Sequence, residues 1–130
     1  AAKRAAAFTL GRAAATYGRS LAGEQEVVAH LADMAIEIYA IESAILRSEK
    51  MAARDAFQAS TAADITSVYA ADAAERLEHA SKNALAAMDA PEAAARIDDI
   101  HRLLRHGPVN AVAARRRIAD AVIAAGRYPL

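Results

Sequence analysis

The chain has 130 residues, room for one domain with a proper core but cramped for two. Its 16 basic and 16 acidic residues cancel, removing the surplus of Lys and Arg that phosphate neutralisation needs, so nucleic acid is not an expected partner. Without cysteine, disulfides, thiolate catalysis and cysteine-ligated zinc are excluded, and no run of about 18 apolar residues exists to form a membrane-spanning helix.

The opening Ala1-Ala2-Lys3-Arg4 leads into an alanine-rich stretch too small-sided for a secretory leader. There is no initiator Met, so the chain is expected to be a piece of a longer protein, cytoplasmic, with peripheral membrane contact as a further option. Alanine dominates, and Gly and Pro fall at plausible helix ends, which predicts an all-α class. Five helices are expected, packed as one antiparallel bundle domain over residues 1–130.

The first helix is expected from Lys3 to Tyr17, with Ala7, Gly11 and Ala15 as a small-residue packing ridge; Gly18 breaks it unless it runs on to Leu21. The second, from about Gly23 to Met51, carries Val27, Leu31, Met34, Ala35, Ile38, Ile41 and Ile45 at helical spacing. Glu26, Asp33, Glu37 and Ala40 fall opposite. At about 28 residues it would extend ~42 Å. Ser60, Thr61 and Asp64 look like the cap of the third helix, which should reach Met88 and bury Ile65, Val68, Tyr69, Ala73, Leu77, Ala80 and Ala84. The link from Ala52 to Ser60 is the one connection expected to be loose.

A fourth helix is expected from Asp89, with Pro91 in its first turn, to Gly107-Pro108, its apolar face made of Ile97, Ile100, Leu103 and Leu104. The fifth opens at Asn110 and closes at Gly126, with Ala111, Val112, Ile118, Val122 and Ile123 inward. The tail Arg127-Tyr128-Pro129-Leu130 is expected to be non-helical.

Three polar features raise functional questions. Glu26, His30, Asp33 and Glu37 share a helix face, and Glu75–His79 and Asp98–His101 make further pairs. Di-metal bundles use Glu-x-x-His units projecting into the core, and no such unit is present; a solvated polar face is the expected reading, and no metal ligand is assigned. A helical wheel puts Glu42 inside the apolar stripe between Ile38 and Ile45, so a basic partner from another helix or subunit is expected, with Arg76 one candidate. Arg115, Arg116 and Arg117 lie in a stretch from Arg96 to Arg127 with seven arginines against three aspartates. Such a patch suits an acidic partner or anionic lipid, although pairing to Asp120 on a solvated face is the plainer expectation. Glycine-rich phosphate loops, Gly-x-Ser-x-Gly, His-Glu-x-x-His and dinucleotide fingerprints are missing, so no catalytic or cofactor-binding residue is assigned.

The segment from Gln25 to Ile41 resembles the C-terminal extension of very-long-chain-type acyl-CoA dehydrogenases. Gln25, Leu31-Ala32-Asp33, Ala35-Ile36, Tyr39-Ala40 and Arg47 fall on that family's positions, with Ile41 replacing a Met, and Tyr128-Pro129-Leu130 is similar to its Pro-Leu ending. The resemblance implies a non-catalytic helical domain of a flavoprotein that oxidises acyl-CoA thioesters. It further implies that FAD and the carboxylate base lie in an upstream dehydrogenase body. The domain's implied roles are packing on that body, dimerisation and, in some members, membrane association. From the residues alone, a stand-alone metal-binding bundle or a peripheral membrane module using the Arg-rich last helices stays open.

Overall fold

The computed structural model describes residues 1–88 and 93–128. Five α-helices account for nearly all of them: α1 Ala2–Tyr17, α2 Gln25–Ala52, α3 Ala56–Ala87, α4 Ala93–Leu104 and α5 Ala111–Ala125. The expected all-α class holds, and no strand occurs among the described residues. Between α1 and α2 the chain does not continue as α-helix to Leu21 but tightens into a 3₁₀ segment, Gly18–Gly23. The proposed Asp89–Pro91 cap and the last two residues lie outside the described residues. Among the described residues no helix is long and apolar enough to cross a membrane.

Contacts divide the chain into two compact units, one of Ala1–Tyr39 with Ala74–His106, the other of Ala40–Ala73 with Gly107–Leu130. In the first, α1 lies parallel to the second half of α3. The Thr9 hydroxyl donates to the Ala5 carbonyl at 2.9 Å and sits 2.7 Å from Ser81 Oγ. About two turns further along α1, Tyr17 donates to the Ala87 carbonyl at 3.1 Å. The ridge that α1 buries is Ala5, Thr9 and Ala13, all fully enclosed, whereas the expected ridge of Ala7, Gly11 and Ala15 is exposed. Both ridges consist of small residues, so apolar contrast could not separate them; the Thr9–Ser81 hydrogen bond does. Met34, Leu77, Leu85, Ile100 and Leu104 supply the larger buried side chains of this unit.

In the second unit α3 carries Ala62, Val68 and Ala73 inward, and α5 packs against it through Ala114. Asn110 caps α5 by accepting from Ala113 N at 3.0 Å, and Gly126 ends it in the left-handed conformation at φ 61°, as expected from its residue type. Of the residues expected inward on α5, Ala111 and Ile118 are half-buried, but Val112, Val122 and Ile123 are exposed.

The third helix begins earlier than its Ser60-Thr61 signal. Asp55 is the cap, its Oδ1 accepting from Gln58 N at 3.4 Å, which leaves residues 53–55 as the whole connection from α2. Thr61 is instead a buried interior residue.

The inward line of α2 is Val27, Leu31, Met34, Ile38, Ile41, Ala44, Ser48 and Met51, all buried or half-buried. Its steps of four and three average below 3.6 residues, so the line drifts around the helix. Drift carries it away from Ala35, Glu42 and Ile45, all exposed, and towards Glu37 and Ala40, which the straight wheel had placed outside.

Candidate functional site

Glu42 is exposed on α2, contrary to the buried position expected for it. Arg76, its proposed partner, binds Glu37: Nε donates to Oε1 at 2.6 Å and Nη2 to Oε2 at 2.9 Å. This bidentate pair ties α2 to α3 within the first unit, with Glu37 the more enclosed partner. A signal existed in the 3.5-residue spacing of α2, which moves Glu37 inward as it moves Glu42 outward.

The arginine triplet divides. Arg115 Nη2 donates to both Asp72 carboxylate oxygens at 3.0 and 2.8 Å, and Arg117 donates to Asp64 through Nε at 2.8 Å and Nη2 at 2.5 Å. Neither uses Asp120, the partner expected from sequence. Asp120 lies three to five residues from the triplet on the same helix, whereas α3 offers carboxylates across the packing interface. Arg116 points away from that interface and is exposed. The Arg117 guanidinium, by hydrogen bond and charge, holds the Asp64 carboxyl below the ordinary aspartate value.

A second polar cluster links α3 to α4. Glu78 Oε1 meets Lys82 Nζ at 2.5 Å and His101 Nδ1 at 3.0 Å. Hydrogen bonds from Lys82, then His101, lower the Glu78 pKa, against a smaller opposing effect of burial. His101 therefore does not pair with Asp98 as its spacing suggested, and His79 lies 2.9 Å from Asn83 rather than coupling to Glu75. Glu26 and Asp33 are exposed, His30 is half-buried and Glu37 is engaged by Arg76, so the first helix-face quartet is dispersed. Among the described residues no group of three or more His, Asp or Glu could hold a metal ion.

An open groove of about 430 Å³ lies between α1 and α4, lined by Arg4, Ala7, Phe8, Asp99, Ile100 and Leu103. Arg96 stands 5.9 Å from the centre of the Phe8 ring, a cation–π distance. Asp99 on the rim is held by Arg102 at 2.7 Å. These groups are structural pairs on an open surface; no nucleophile, base and orienting group converge there.

The polar pairs thus fasten helices together, and two helices also expose large apolar side chains. On α2, Val28, Ile36 and Tyr39 are 40%, 62% and 76% exposed; on α5, Val112 and Ile123 are 62% and 78% exposed.

Residues 1–97 match the family described as acyl-CoA dehydrogenase, C-terminal domain. A probable acyl-CoA dehydrogenase of Bacillus subtilis (strain 168) is 33% identical over 129 residues, covering 98% of this chain and 22% of that protein. The crystal structure of an acyl-CoA dehydrogenase complexed with FAD, from Bacillus anthracis, superposes with a TM-score of 0.93 at 30% identity, covering 99% of this chain and 23% of that one. The chain thus spans less than a quarter of the length of either relative. With its helices, their order and most of its sequence accounted for, the chain belongs to the acyl-CoA dehydrogenase C-terminal domain family.

Proposed function

We propose that this chain is the non-catalytic C-terminal domain of an FAD-dependent acyl-CoA dehydrogenase and serves by packing on the dehydrogenase body. The observation that carries the reading is coverage: nearly all of this chain corresponds to 22–23% of two acyl-CoA dehydrogenases, one of them complexed with FAD. The described residues do not fit that cofactor themselves. They offer no glycine-rich loop to cradle a pyrophosphate, and the α1–α4 groove is open, its one carboxylate, Asp99, already paired with Arg102. FAD and the reacting carbons of the thioester are accordingly assigned to the rest of the enzyme, where the bound flavin accepts the electrons. This chain's residues act by binding and orienting its own helices.

Homodimerisation and association with an anionic membrane surface are a second reading of the same module, in a cytoplasmic enzyme. What favours it is α5, where exposed Val112 and Ile123 flank exposed Arg116. Arg115 and Arg117 direct their charge to Asp72 and Asp64, which weakens the basic patch that lipid head groups would meet. Packing on the body is therefore the stronger reading.

Flavin analysis of the purified full-length enzyme tests it. Stoichiometric FAD, bleached by an acyl-CoA thioester, is the expected result. A full-length product without flavin, or with flavin retained by the 130-residue region after proteolytic separation, would overturn the reading.

A further inference from the structure

The first half of α2 presents two apolar faces. One is the inward line of Val27, Leu31, Met34 and Ile38. The other is formed by Val28, Ala32, Ala35, Ile36 and Tyr39, all exposed. At about 100° per residue these five fall within an arc of about 100°, and no charged residue enters that arc between Gln25 and Tyr39. A helix apolar on both sides is the pattern of one covered on both sides. Tyr39 suits the edge of such a contact, with an apolar ring and a hydroxyl able to meet a polar neighbour.

Charge narrows what can cover this face. From Ser20 to Leu46 the sequence has no Lys or Arg and five carboxylates: Glu24, Glu26, Asp33, Glu37 and Glu42. Arg76 neutralises Glu37, while Glu26 and Asp33 flank the exposed arc on one side. An acidic rim disfavours anionic lipid, and it disfavours the same face of a second copy, since an antiparallel two-fold contact brings like rims together and a parallel one supplies no basic rim to meet them. It favours an apolar patch edged by Lys or Arg. Both relatives are more than four times the length of this chain, so such a patch is available within a single polypeptide.

We infer that the Val28–Ala32–Ile36–Tyr39 face of α2 is the docking surface for the dehydrogenase body, and that the body meets it with an apolar patch rimmed by basic side chains. This rests on the function proposed above, and names the face and the chemistry of its partner.

Photo-crosslinking of the purified full-length enzyme tests the inference. With benzoylphenylalanine replacing Tyr39, illumination is expected to link this position to peptides of the dehydrogenase body. Reversing the rim with Glu26→Lys and Asp33→Lys is expected to reduce the yield several-fold. Crosslinks to this same region of a second copy, to lipid in anionic vesicles, or to nothing would overturn the inference, as would a yield indifferent to rim reversal. Flavin content is measured on the same sample. If FAD is present but the crosslink fails, the docking face is wrong; if FAD is absent, the function proposed above is wrong.

Discussion

Arg117 of α5 grips Asp64 of α3 through two nitrogens, Nε at 2.8 Å and Nη2 at 2.5 Å. Arg115, two residues earlier, holds Asp72. Positions two apart on a helix are separated by about 200°, so the two arginines pass on opposite flanks of the contact, with Ala114 buried between them. The numbering runs up α5 as it runs down α3, which makes the two helices antiparallel. A strap on each side sets the rotation of a helix whose own apolar residues are mostly outside.

Asp64 makes the strap pH-dependent in a definite direction. Its folded-state pKa is lowered by Arg117, so its contribution to stability is complete above the unfolded-state value and is lost as pH falls through the folded-state one. Asp64→Asn is therefore expected to lower the melting temperature at neutral pH and to cost nothing once both carboxyl forms are protonated. Thermal melts of the two proteins from neutral pH into the acid range check this.

The companion pair is more exposed, with side chains of Arg115 and Asp72 about half accessible. A double-mutant cycle with Arg115→Ala and Asp72→Ala is expected to give a coupling of only ~0.2–1 kcal/mol, falling with added salt. Denaturant melts of the four proteins measure it.

Thr9 and Ser81 form a hydroxyl pair with no access to solvent. Thr9 has spent its proton on the Ala5 carbonyl, so Ser81 is the donor between them. Thr9→Val removes the acceptor and leaves a buried hydroxyl without it, an expected cost of about 1–3 kcal/mol. Ser81→Ala leaves Thr9 still bonded to Ala5 and is expected to cost less. The order of the two denaturation midpoints decides.

The register of α1 can be tested through its glycine. A Cβ built on Gly11 meets nothing within 4 Å, whereas Ala13 is fully enclosed. Gly11→Ala is expected to stabilise by ~0.5–1 kcal/mol through helix propensity. Ala13→Leu is expected to destabilise by about 1–3 kcal/mol through overpacking. The opposite order would restore the ridge of Ala7, Gly11 and Ala15.

These residues also show what sequence could convey. The class, the five helices and the inward faces of α3 and α4 follow from alanine content, end signals and apolar spacing, since Val68, Leu77 and Ile100 stand out from their neighbours in sequence and are buried. The ridge of α1 was illegible because Ala5-Thr9-Ala13 and Ala7-Gly11-Ala15 are equally small. Glu42 was misplaced because a fixed 3.6-residue wheel ignores the drift of a line stepping 27, 31, 34, 38, 41, 44. Asp55 was passed over for Ser60 because both are good caps and only the chain's path selects one. The arginine triplet pointed to Asp120, close by on the same helix, because the carboxylates it does bind, Asp64 and Asp72, lie about 50 residues away. Ile36 and Tyr39, among the positions that carry the family resemblance, lie outside the core, so burial within this chain does not explain them.

In the proposed role the domain holds helices and contacts and performs no chemistry; Glu78 and His101, 3.0 Å apart, are its pair most like an acid–base couple among the described residues. Acyl-CoA-driven flavin reduction is measured in the full-length enzyme carrying Glu78→Gln and His101→Gln. The rate is expected to match the parent enzyme; a fall of about a hundredfold or more, the scale of a lost general acid or base, would instead place catalysis in this domain.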